Sequence, residues 1–70
     1  RFVRYADGTY AVIDYKTGSI ASAKSSGRFA EYENQVRTYM ELMQEIVGSA
    51  VSGWLYFADE NPDARIIRIQ

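Results

Sequence analysis

Seventy residues allow one domain or a piece of one, with a core that rarely supplies more than about 3–5 kcal/mol. Yet 47% of the residues are hydrophobic and 14% aromatic, a globular composition and not that of a disordered tail. With no cysteine, no histidine and a formal net charge of −1, the chain excludes disulfides, thiolate zinc sites, imidazole bases and an overall basic field.

Catalysis by such a chain would have to run on carboxylates, lysine, tyrosine or a hard cation. No apolar run approaches the ~18 residues of a membrane span, and no signal-peptide pattern opens the chain. The expected setting is cytoplasmic, with no membrane partner.

In chain order, RFVRYADGTYAVIDYK predicts a β-hairpin around Ala6-Asp7-Gly8. TGSIASAKSSGR has no periodicity and predicts a loop rich in glycine and serine. FAEYENQVRTYMELMQEIV places apolar residues at Phe29, Tyr32, Val36, Met40, Met43 and Val47, in the steps of three and four of an amphipathic helix. Ser25 or Ser26 is the expected N-cap, and Gly48 the expected stop. VSGWLYFA then predicts a strand, DENPD a turn, and ARIIRI a last strand. The expected fold class is α+β: a ββαββ unit whose mixed, twisted sheet carries one helix, over residues 1–70 as a single partial domain.

The strand around YAVIDYK carries the chemistry. Side chains on a strand alternate faces, so Asp14 and Lys16 emerge together, with Tyr10 and Val12 behind them. A carboxylate at a strand end, helped by the Tyr15 carbonyl, suits Mg²⁺ or Mn²⁺, and a lysine beside it can orient an attacking water or steady developing charge. Alone, the same two residues are equally a surface ion pair capping a strand.

The order of motifs carries more information. Val12-Ile13, then Asp14-Tyr15-Lys16-Thr17-Gly18, a polar loop and a helix bearing Gln35 and Tyr39 in QVRTY resemble the RecB-like nucleases of the PD-(D/E)XK superfamily. The resemblance spans roughly residues 1 to 57. It implies the later portion of the restriction-endonuclease-like core and divalent-metal-dependent hydrolysis of DNA phosphodiesters. The implied enzyme is exonucleolytic and works with a helicase domain or subunit, in DNA repair. It also implies that Asp14 and the Tyr15 carbonyl hold the metal, that Lys16 positions or activates water, and that Gln35 and Tyr39 shape the site and contact DNA. Four residues apart, Gln35 and Tyr39 share one helix face; without the resemblance, Gln35 reads as solvated and Tyr39 as core.

The family's site also needs an acid on the preceding strand and often a histidine or glutamate on an upstream helix. Neither has a counterpart here. A three-residue hairpin loop with Gly8 in the left-handed conformation puts Tyr5 opposite Thr9 and Arg1 opposite Ile13, so the position before Arg1 would face Asp14. A two-residue turn would shift it to the wrong face. The expectation is therefore the three-residue register, in a nuclease fragment that begins one residue past a metal ligand and is inactive by itself.

Lys24 and Arg28 lead into the helix and could hold a DNA phosphate near its N-terminus, or simply be solvated. Glu31 and Glu33 read as solvated charges favoured by the helix dipole, and Arg37 as a partner of Glu33 or Glu41. Trp54, Tyr56 and Phe57 read as sheet packing rather than a base-stacking platform. Arg65 and Arg68 read as charges guarding an edge strand. The rival function is a non-catalytic interaction domain that keeps the half-fold and offers its sheet edge or apolar surface to a partner. A small self-associating fold with an incidental ion pair is the third reading, and an uncovered apolar face would itself drive self-association.

Overall fold

The computed structural model describes residues 1–61 and 65–69. Its elements are β1 (Phe2–Arg4), β2 (Tyr10–Lys16), α1 (Ile20–Ser25), α2 (Arg28–Val47), β3 (Val51–Phe57) and β4 (Ile66–Ile69). They form an α+β unit with one four-stranded mixed sheet in the order β1-β2-β3-β4. The β2–β3 pair is parallel and the outer pairs antiparallel. A parallel pair needs a crossover, and the two helices supply it.

The hairpin adopts the three-residue register. Phe2 pairs with Val12, Val3 with Ala11 and Arg4 with Tyr10, and the main chain of Arg1 both donates to and accepts from Ile13. Gly8 sits at φ +89, where its N–H donates to the Tyr5 carbonyl at 3.0 Å. Asp7 locks the turn by accepting from the Thr9 N–H at 3.0 Å and the Thr9 hydroxyl at 2.7 Å.

Two expectations are corrected between β2 and α2. The segment expected to be a loop contains α1, a six-residue helix, so the order is ββααββ. Ser19 caps α1 by accepting from the Ser22 N–H at 3.0 Å, and Ala23 is buried against α2 and the sheet. A helix this short depends on tertiary packing for its stability, which a periodicity search does not see. Nor does Ser25 or Ser26 cap α2. Their hydroxyls donate to the Ser22 and Ala23 carbonyls at the end of α1, and Gly27, at φ +79, takes the N-cap position without a side-chain bond. At the far end Gly48, at φ +70, stops α2 as expected.

The stripe Phe29, Tyr32, Val36, Met40, Met43 and Val47 is the buried or half-buried side of α2. It packs on the sheet face that carries Gly53, Leu55 and Phe57, forming a core of Ala23, Val36, Leu55, Phe57 and Ile69. Close approach is possible because Gly53 has no side chain: a Cβ there would lie 2.6 Å from Val36 Cγ1 and 2.2 Å from Met40 Sδ. The other sheet face has no helix over it among the described residues. Tyr5, Ile13, Trp54 and Ile66 line a shallow apolar hollow there. The DENPD turn is described only at Asp59, Glu60 and Asn61, and Ala64 of the last predicted strand lies outside the described residues. Among the described residues, no helix is long and apolar enough to cross a membrane.

Candidate functional site

β2 is an inner strand, but β1 accompanies it only as far as the Arg1–Ile13 pair. Its last residues therefore lie beside β3 alone, with α2 crossing the same face. Parity places Val12, Asp14 and Lys16 on that face, beside Gly53, Leu55 and Phe57 of β3. Val12 is buried and continues the core, whereas Asp14 and Lys16 reach its rim.

There Lys16 Nζ lies 3.1 Å from Asp14 Oδ2 and donates to Gln35 Oε1 at 3.4 Å. The two side chains keep 22% and 26% exposure, enough to meet a ligand and to weaken the pair relative to a buried one. Asp14, Lys16, Asn34, Gln35, Thr38 and Tyr39 line one open groove of about 540 Å³ between β2 and α2. The structure thus brings together four residues singled out in the sequence: Asp14, Lys16, Gln35 and Tyr39. Tyr39 is not core; the residue is 54% exposed.

Asn34 and Thr38 were missed. They repeat the four-residue step of Gln35 and Tyr39 one position earlier, a signal that was available. Thr38 Oγ1 donates to the Asn34 carbonyl at 2.9 Å, and Asn34 Oδ1 accepts from Arg37 at 3.4 Å, a bond that does not use the Asn34 amide N–H donors. Arg37 also pairs with Glu33 at 3.5 Å, the helix pairing expected. Lys24 and Arg28 are not brought to the groove. Lys24 Nζ lies 5.1 Å from the centre of the Phe29 ring, and Arg28 Nε donates to Ser26 Oγ at 2.9 Å.

The turn after β3 fixes the segment following Lys16. The Ala58 N–H donates to the Lys16 carbonyl at 3.1 Å. Asp59 Oδ2 accepts from the Gly18 N–H and Glu60 Oε1 from the Ile20 N–H, each at 2.6 Å. Charge-assisted bonds of this length are among the stronger ones.

Hard-oxygen donors of the right kind for Mg²⁺ or Mn²⁺ are present, but few. Asp14 supplies one carboxylate, half engaged by Lys16. Ile13 exchanges both main-chain bonds with Arg1, so by alternation the Tyr15 carbonyl points to the same edge, past the end of β1. No group of three or more acidic, histidine or cysteine residues forms among the described residues. One carboxylate and one carbonyl fit a magnesium ion that keeps most of its waters, and make a weak site. Compared with known proteins, the chain matches no family model, no curated protein and no solved structure.

Proposed function

We propose that this chain is part of a divalent-metal-dependent DNA nuclease of the RecB-like kind, exonucleolytic and cytoplasmic, acting with a helicase domain or subunit. The observation that carries the reading is the meeting of Asp14, Lys16 and Gln35 within hydrogen-bonding distance at the head of one groove. The order of these residues along the chain, and the β2–helix–β3 arrangement that gathers them, agree with the later part of that nuclease core.

In this reading Asp14 and the Tyr15 carbonyl hold Mg²⁺ or Mn²⁺. The bound ion supplies charge neutralisation at the scissile phosphate and an acidified water. Lys16, held between Asp14 and Gln35, orients the attacking water and offers a proton to developing negative charge. The side-chain amide N–H groups of Gln35 and Asn34 offer hydrogen bonds to phosphate oxygens along the groove, and the Tyr39 ring flanks the strand. With a single carboxylate, the 70 residues alone are expected to be inactive.

The test is a Mn²⁺ titration followed by NMR. Paramagnetic broadening centred on residues 14–16, and lost in Asp14→Ala, supports the reading. A companion variant adds one residue ahead of Arg1, opposite Asp14 in the hairpin register. Aspartate there is expected to tighten Mn²⁺ binding and alanine to leave it unchanged; equal affinities would count against a nuclease site at this position. The second reading, an interaction domain, is favoured by the uncovered hollow of Tyr5, Ile13, Trp54 and Ile66. Absence of localised broadening, with a partner binding that hollow, would favour it.

A further inference from the structure

We propose that Tyr32 is a positioning residue for Lys16, holding its ammonium at the groove through the face of its ring. The proposal deepens the nuclease reading and rests on it only for the consequence to catalysis; the contact itself stands on geometry.

A lysine is a compact charge on a flexible four-carbon stem, and one ion pair does not fix it. Lys16 has three partners. Two are polar: Asp14 Oδ2 at 3.1 Å and Gln35 Oε1 at 3.4 Å, the latter near the limit of a hydrogen bond. The third is the Tyr32 ring, whose centre lies 4.4 Å from Nζ, inside the range in which a ring face attracts a cation. The ring is well seated. Tyr32 leans on Phe57 at 6.4 Å between centroids, and Phe57 is fully buried and stacked with Phe29 at 6.2 Å. Tyr32, Phe57 and Phe29 thus form an aromatic cluster reaching from the core to Lys16, which stands beside it because β2 pairs Lys16 with Phe57.

The ring matters most when Asp14 is otherwise engaged. A carboxylate that shares its charge with a cation holds the lysine less strongly, whereas the ring contact does not use Asp14, so its hold on the ammonium does not depend on how Asp14 is engaged. The ring face makes this contact without the hydroxyl, so phenylalanine is expected to replace tyrosine.

The chain has two lysines, Lys16 and Lys24, which makes the NMR test direct. In ¹³C,¹⁵N-labelled protein, the Lys16 ε-methylene protons are expected to be shifted upfield by the ring and to show nuclear Overhauser contacts to the Tyr32 ring. Tyr32→Leu should abolish the upfield shift and leave the Lys24 signals in place; Tyr32→Phe should retain it; Asp14→Ala should retain most of it. The proposal is overturned if the unmodified chain lacks the Overhauser contact, if Tyr32→Phe loses the shift, or if Asp14→Ala abolishes it. These three readouts decide the matter even where Tyr32→Leu fails to fold. Absence of Mn²⁺ broadening at residues 14–16 both in this chain and in the variant with aspartate ahead of Arg1, with the ring contact intact, would remove the nuclease reading and leave this placement of Lys16 standing.

Discussion

Gly53→Ala tests how α2 is held over the groove. The added methyl meets Met40 Sδ at 2.2 Å and Val36 Cγ1 at 2.6 Å. Met40 can rotate its flexible end away, but a β-branched Val36 inside a helix has little freedom at χ1. Ordinary contact begins at 3.4 Å, so the helix must retreat by roughly 0.8 Å at its one fully buried residue. Overpacking of this kind costs about 1–3 kcal/mol, and the strand regains only about 0.5–1 kcal/mol from replacing glycine. The net loss, up to about 2.5 kcal/mol and centred on roughly 1, is a large part of what so small a core supplies. Gln35 adjoins Val36 and moves with it, which would carry the 3.4 Å contact to Lys16 beyond hydrogen-bonding range. Urea unfolding followed by the single tryptophan, Trp54, would show a lower midpoint. In Gly53→Ala/Val36→Ala the new methyl occupies part of the vacated space, so the double variant should lose less than the two single losses combined. An unchanged or raised midpoint for Gly53→Ala would refute the close approach on which the groove depends.

Asp59→Asn with Glu60→Gln weakens the two carboxylate bonds that hold Gly18 and Ile20; a loss of about 1 kcal/mol and faster amide exchange across α1 are expected, and unchanged exchange would refute the clamp. Asp7 accepts from the Thr9 N–H and then the Thr9 hydroxyl, which hold its pKa below the usual 3.8. A depressed carboxylate stabilises the fold above its unfolded pKa, so this contribution is lost as the pH falls from about 3.8 through the lower folded value. Asp7→Asn should flatten that part of the acid-unfolding curve, and an identical curve would count against the turn contact. Lys16→Ala is expected to change stability by no more than about 1 kcal/mol, because its ion pair is partly solvated; a larger fall in the urea midpoint would make the lysine a structural residue. On the uncovered sheet face, Ile66→Lys should lower any concentration-dependent sedimentation, and an unaltered profile would place self-association elsewhere.

How much of this was legible depended on whether a feature is local. The hairpin register followed from Ala6-Asp7-Gly8, because turn chemistry acts within five residues. The side of α2 that packs followed from its apolar stripe, and the shared face of Asp14 and Lys16 from strand parity. α1 was not legible from periodicity: its Ser19–Ser22 cap is local, but the burial of Ala23 and the Glu60 carboxylate that hold so short a helix are contacts that no short window contains. The cap of α2 was misassigned because two adjacent serines look like N-caps while serving the helix before them. Within the site, Gln35 and Tyr39 stood out only by resemblance. Asn34 and Thr38 share the groove by helix geometry, and the role of Tyr32 was hidden because one ring both packs the core and faces a cation.

The 20-residue α2 is a rod about 30 Å long with one fully buried residue near its middle. Its first half is further tied to the core cluster through Phe29 and Tyr32. Beyond Met40 the packing side offers only the half-buried Met43 and Val47, which do not reach that cluster, and Leu42 and Ile46 stand 50% and 66% exposed. Protection against amide exchange should therefore decline from Val36 toward Gly48. Gln35 and Tyr39 lie at the firm end of that gradient, so the last turns of the helix can fray while the groove keeps its shape.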